Sequence, residues 1–315
     1  MVEQRRGPRS GSTNSGARTG RGSDDRPGRG SDDRRGRPSD DRRGGGQRPT
    51  GNRDKRSDDR KKPEEKPARI RRTPEDQAIY DGPDLPDVVT GKELDRSVTG
   101  QLKGLPEKLA ARVARHLAAA GMVIDDDPEL AYRHALAARA RAPRIAVVRE
   151  AAGEAAYAAG HYAEALSDLR AAKRLNGATA YLPIMADCHR ALGQPEQALK
   201  LSKSPGVANF APEARAEMTI VEAGARRDMG QLDAALRVLE QAPINSQNRS
   251  AWVVRLRYAY ADTLVAAGQQ REALEWFHRT HAIDADQLTD AEARAAELER
   301  RRDDETGRPP VATED

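Results

Sequence analysis

The stretch REAAGEAAYAAGHYAEALSDLRAAKRL, from Arg149 to Leu175, decides how this chain folds. Its alanines and leucines recur at helical spacing, with no strand-like alternation of apolar and polar residues. Gly160 divides it in two. Glycine supplies a left-handed residue that ends a helix without a Cβ clash, so the stretch reads as two antiparallel helices joined by a tight turn. One such pair cannot bury its own apolar face and has to stack on another.

The same punctuation returns downstream. Turn glycines fall at Gly160, Gly193, Gly230 and Gly268, with spacings of 33, 37 and 38. Five residues after each comes an Ala-Leu pair: Ala165-Leu166, Ala198-Leu199, Ala235-Leu236 and Ala273-Leu274. Seven residues before each comes a small residue, Gly153, Ala186, Ala223 or Ala261, which lets two helix axes approach. Twelve residues after, the set is less regular: Ala172, Pro205, Ala242 and Thr280. The Leu of each pair is expected to fill the gap between neighbouring units. A degenerate unit lies upstream in LPEKLAARVARHLAAAG, with Ala114 seven before Gly121 and a turn lengthened by Met122–Asp127. Ala131 to Ala165 and Ala138 to Ala172 are both 34 residues apart.

These repeats, and the stretch AYADTLVAAGQQREALEWFHRTHAID from Ala259 to Asp284, resemble the tetratricopeptide repeat family, its actinobacterial members in particular. The resemblance covers about Leu105 to Asp284. It departs from the family pattern in lacking most of the early aromatic residues, and SPGVANFAP breaks the second helix of the third unit at Pro205. The expected architecture is all-α: a tetratricopeptide-like solenoid of about five helical hairpins over residues 105–288, capped by a charged helix over 289–303 that Thr289 and Glu292 open as a capping box. Residues 73–104 form a transition with short helices, the first started by Thr73, Pro74 and Glu75 and the second running from about Lys92 to Leu102. Residues 304–315 are expected to be a disordered tail.

Residues 1–72 have a different chemistry. They hold no Phe, Trp or Tyr, and their only aliphatic side chains larger than alanine are Met1, Val2 and Ile70. Such a segment cannot offset the entropy of ordering and is expected to be a disordered arm. It carries 23 Lys and Arg against 12 Asp and Glu, so the remainder of this +4 chain is acidic, at about −7. SDDR tetrads begin at Ser23, Ser31, Ser39 and Ser57. Each mixes both signs, which weakens its field, and the arm has no aromatic residue for base stacking. Weak nucleic-acid contact, contact with the acidic remainder and service as a soluble spacer all stay open for it.

The chain has one cysteine, Cys188, so no intrachain disulfide forms. The arginine-rich start is not that of a secretory signal, and the longest apolar run, Leu117 to Ile124, is too short to span a bilayer. A cytoplasmic location is expected, without membrane partners. No nucleophile elbow, P-loop or dinucleotide fingerprint is present, and no enzyme activity, metal or cofactor is expected. His278, His281 and Asp284 share helical spacing that could hold a transition metal, but read more simply as exposed residues; Asp125, Asp126 and Asp127 read as a charged turn, and Cys188 as a buried apolar residue.

What the resemblance implies is a protein–protein interaction scaffold that binds a peptide in a concave groove lined by the first helix of each pair. Carried onto this sequence, the groove residues are Arg115, Glu150, Glu154, Tyr157, Asp187, Arg190, Arg227, Arg255, Tyr258 and Asp262. In that reading arginines grip partner carboxylates bidentately and tyrosines add apolar contact with a polar tip. The simpler reading is a face charged for solubility. Chaperone-binding members of the family hold a terminal carboxylate in a clamp of Lys and Asn; Ala111, Glu150, Glu154 and Pro183 stand at the corresponding places, and the two glutamates would repel it. The alternative function is RNA or DNA association through the basic arm.

Overall fold

A left-handed residue closes the first helix of four successive pairs. Gly160, Gly193, Gly230 and Gly268 have φ of 79°, 70°, 73° and 77°. The computed structural model describes residues 73–306; the basic arm at 1–72 and residues 307–315 of the expected tail lie outside the described residues, while 304–306, also expected in that tail, are helical. The described residues form thirteen α-helices and one short 3-10 turn, with no β-strand among them.

Two short helices lead, α1 (Pro74–Asp81) and α2 (Arg96–Leu102). Five pairs follow: α3 (Glu107–Val123) with α4 (Pro128–Arg141), α5 (Ala146–Ala158) with α6 (Tyr162–Asn176), α7 (Leu182–Ala191) with α8 (Pro195–Ser202), α9 (Pro212–Asp228) with α10 (Leu232–Glu240), and α11 (Ala251–Ala266) with α12 (Gln270–His281). The last helix is α13 (Ala291–Thr306). Within each pair the helices pack on one another, and each pair packs on the next through α4 on α5, α6 on α7, α8 on α9 and α10 on α11. The first helices also touch in succession, α3 to α5 to α7 to α9 to α11.

Small residues make these contacts possible. Ala165, Ala198, Ala235 and Ala273, five after each turn glycine, are fully buried. So are Ala186, Ala223 and Ala261, seven before. At Gly153 an added Cβ would sit 2.6 Å from Leu169 Cγ, so α5 and α6 touch there through backbone and leucine. The twelfth position behaves as irregularly as its sequence: Ala172 and Thr280 are fully buried, Ala242 is half-buried and Pro205 is exposed. In the third pair α8 ends at Ser202 and the chain passes through a 3-10 turn, Pro205–Asn209, before Pro212 starts α9.

The upstream pair departs from expectation at its turn. Gly121 lies inside α3, which runs on to Val123, and the lengthened turn begins after it. Asp127 caps α4 by accepting from the Leu130 amide at 2.9 Å. At the start of the described chain, Thr73 and Asp76 form the reciprocal cap of α1, while Asp95 caps α2, which begins at Arg96, four residues later than expected. The stretch between them lies along α3. Arg115 donates to the carbonyls of Val89 (2.6 Å), Pro86 (2.9 Å) and Leu85 (3.2 Å), and Arg112 to that of Asp81 (3.3 Å). Arg141 stacks over the Tyr80 ring at 4.2 Å. The capping box expected of Thr289 and Glu292 does not form: Thr289 instead donates both its amide and hydroxyl to Asp284, and α13 begins at Ala291. Along α13, Ala291, Ala295 and Leu298 are buried against the last pair.

Close packing at Gly153 predicts that Gly153→Val lowers unfolding free energy by about 2–3 kcal/mol. Leu169→Ala should be coupled to it, the double variant losing less than the two single losses added together. Urea denaturation of the four chains of that cycle measures this.

Candidate functional site

Numbering each first helix backward from its turn glycine exposes a rule. Three residues before the glycine stand Tyr157, Arg190 and Arg227. Six residues before it stand Glu154, Asp187, Gly224 and Asp262. The side chain at the first position of one pair reaches the carboxylate at the second position of the next. The Tyr157 hydroxyl donates to Asp187 Oδ2 at 2.6 Å, and Arg227 donates to Asp262 Oδ2 at 2.7 Å. Between these rungs the carboxylate is replaced by Gly224, where an added Cβ would lie 2.3 Å from the Arg190 Cζ. The guanidinium occupies that space. It forks onto Asp228 through Nε (2.8 Å) and Nη2 (3.2 Å), and its Nη1 donates to Asp187 at 2.8 Å.

Two further links run along the same face. Arg255 pairs with Glu217 at 2.8 Å, and Tyr258 donates to Asp290 at 2.5 Å. Arg294 of α13 takes the second oxygen of Asp262 at 3.0 Å. The carboxylates of Asp187 and Asp228 hold the Arg190 charge so firmly that its proton affinity rises despite burial.

Nine of the ten residues expected to line one face therefore lie on α5, α7, α9 and α11. Their arginines, expected to receive a partner's carboxylates, are bound instead to carboxylates of this chain. Arg115 is not with them: its guanidinium is spent on the backbone of residues 85–89. Glu217, Asp228, Asp290 and Arg294 belong to the network and were missed. Asp228 and Glu217 stood on the same helix as Arg227, but only the pairing of turn-aligned positions between neighbouring units would have pointed to them.

One rung has no donor. Glu154 makes no hydrogen bond or ion pair among the described residues, although it stands in register with Asp187 and Asp262. The Glu154 side chain is half-buried by accessible area, yet walled in closely by protein, and that desolvation with the neighbouring Glu150 carboxylate pushes its pKa up to about 7. Glu150 accepts from the Tyr181 hydroxyl at 2.9 Å, and its own pKa is raised by burial. Desolvation first, then both carboxylates, push the Tyr181 phenol up to about 12.

Elsewhere the expected alternatives separate. His278 pairs with Glu299 at 3.0 Å, while Asp284 is buried and accepts from Leu288 and Thr289. No group of three or more His, Cys, Asp and Glu side chains placed to hold a metal occurs among the described residues. Cys188 is fully buried, and its thiol is pushed up to about 12 by desolvation. No helix among the described residues is long and apolar enough to cross a membrane. Comparison with models of known protein families gives no match, and comparison with curated proteins gives none either.

Two predictions follow from the paired and the unpaired groups. Arg190→Ala leaves Asp187 and Asp228 without their cation and should cost about 2 kcal/mol, below the cost of breaking a fully buried pair. Arg190→Lys should recover little of that, because an ammonium cannot fork between two carboxylates; chemical denaturation reads both. Glu154 has a folded-state pKa above its unfolded value. Below about pH 4.5 both states hold the proton; as pH rises from there to about 7 only the unfolded state has released it, so the native state progressively loses stability. Glu154→Gln should therefore stabilise the protein by about 1–3 kcal/mol at pH 8 and change it little at pH 4.5.

Proposed function

We propose that the chain is a non-enzymatic interaction module, a tetratricopeptide-like array of five helical hairpins whose first helices line a groove for a protein segment. What carries this reading is the unpartnered carboxyl of Glu154 on a face where every arginine named above has a partner. A desolvated, unpaired charge costs stability, and such costs gather where a surface is used for binding. The succession of first helices provides one continuous polar face, and the tyrosines Tyr157, Tyr181 and Tyr258 offer flat, partly apolar surface beside hydrogen-bonding tips. The links between units keep that face preorganised, which lowers the entropy cost of binding an extended segment.

The binding face is testable by site-specific photocrosslinking in the full chain. Benzoylphenylalanine at Ile184 or Ile220, one helical turn from Asp187 and Glu217, should capture the same partner segment, identified by sequencing the adduct. The same group at exposed Glu196, on a second helix, should not capture it. Capture from Glu196 alone would place binding on the other surface and overturn the reading.

A further inference from the structure

The network of the first helices is complete except at its beginning. Asp187 receives Tyr157 and Arg190; Asp228 receives Arg190; Asp262 receives Arg227 and Arg294; Glu217 receives Arg255. Glu154 receives no donor from any described residue. The nearest cation on the same helix is not available to it: Arg149 is turned the other way, onto the fully buried Asp168, which Arg139 also binds. From the cap of α7 and from α7 itself, Tyr181 and Asp187 face this region, and neither carries positive charge; from α6, Tyr162 stacks edge-on to Tyr157. Glu150, one turn away on α5, adds a second carboxylate and is satisfied only by a phenol.

We infer that Glu154 and Glu150 form a receptor for one ammonium or guanidinium group, supplied by a lysine or arginine side chain of a protein partner. This rests on the binding face proposed above and specifies its chemistry. It also reverses the polarity expected from the arginines: the partner contributes the cation. The geometry resembles that of the other rungs, with the ligand standing in for the missing residue. An incoming guanidinium meets two carboxylates one helical turn apart, partly desolvated by the surrounding protein, which strengthens the attraction. Tyr181, held by Glu150 and by Asn176 at 2.7 Å, fixes one carboxylate in place for it. The same site disfavours an acidic ligand.

The test uses the full chain with tyrosine labelled by ¹³C, and reads the Tyr181 ring signal at pH 8. The probes are Nα-acetyl-arginine amide, Nα-acetyl-lysine amide and the neutral isostere Nα-acetyl-citrulline amide, at matched ionic strength. The two cationic amides should shift Tyr181 saturably and citrulline amide should not. Glu154→Gln should weaken the cationic amides at least tenfold, whereas Glu196→Gln should leave their affinity unchanged. Equal shifts from the citrulline and arginine amides, no saturable shift from either cationic amide, or undiminished affinity in Glu154→Gln would each overturn the inference. These small probes need no protein partner, so their failure leaves the crosslinking result to stand or fall separately. A thermal melt of Glu154→Gln confirms that the variant is folded.

Discussion

Close approach between helices is the constraint on which this structure depends. Its interior is built largely from alanine, and an alanine methyl fills space only when the facing backbone is near. Ala165, Ala198, Ala235 and Ala273 are all but inaccessible to solvent, and Gly153 carries no side chain where Leu169 presses on α5. This explains how a chain with 3% aromatic residues holds together. It also brings neighbouring first helices near enough for polar side chains to bridge them. Longer apolar residues at these crossings would force the axes apart and stretch the tyrosine and arginine links beyond hydrogen-bonding range.

Those links do two things at once. They tie each pair to the next with directional contacts that slide less readily than an alanine interface, and they consume positive charge. Arg190 makes three bonds to two carboxylates, one of them across a gap that exists because position 224 is glycine. The face that results is not a row of free cations. It is a nearly neutralised lattice with a residual negative site at Glu150 and Glu154. Asp168, fully buried beneath Arg139 and Arg149, repeats the tactic on the other side of α5.

Much of the fold was legible because glycine and alanine act locally. A left-handed residue before a second helix and a small residue at a crossing leave marks at fixed offsets, and four turns in register could be read from them. The exceptions were equally local: Gly121 kept a helical conformation because the following residues continued the helix, and Thr289 preferred the buried Asp284 to its own helix end. Nine of the residues that the resemblance implied do stand on α5, α7, α9 and α11. The electrostatics of that face were not legible, because the partner of Arg190 is 38 residues away and that of Arg227 is 35. Arg115 had the right position on its helix, but backbone carbonyls of the preceding segment claimed it, and nothing in its own neighbourhood announces that.

The arginine-held backbone ahead of α3 has a consequence for self-association. A file of similar hairpins has an inherent valence at each extremity, since every member offers its successor the surface it used on its predecessor. Left bare, such extremities can recruit further copies and grow into fibres. Here Arg112 and Arg115 pin residues 81–89 over one extremity, and α13 lies over the other with Glu292, Arg300 and Arg301 pointing to water. Both extremities of the described hairpins are thereby covered by the chain's own residues.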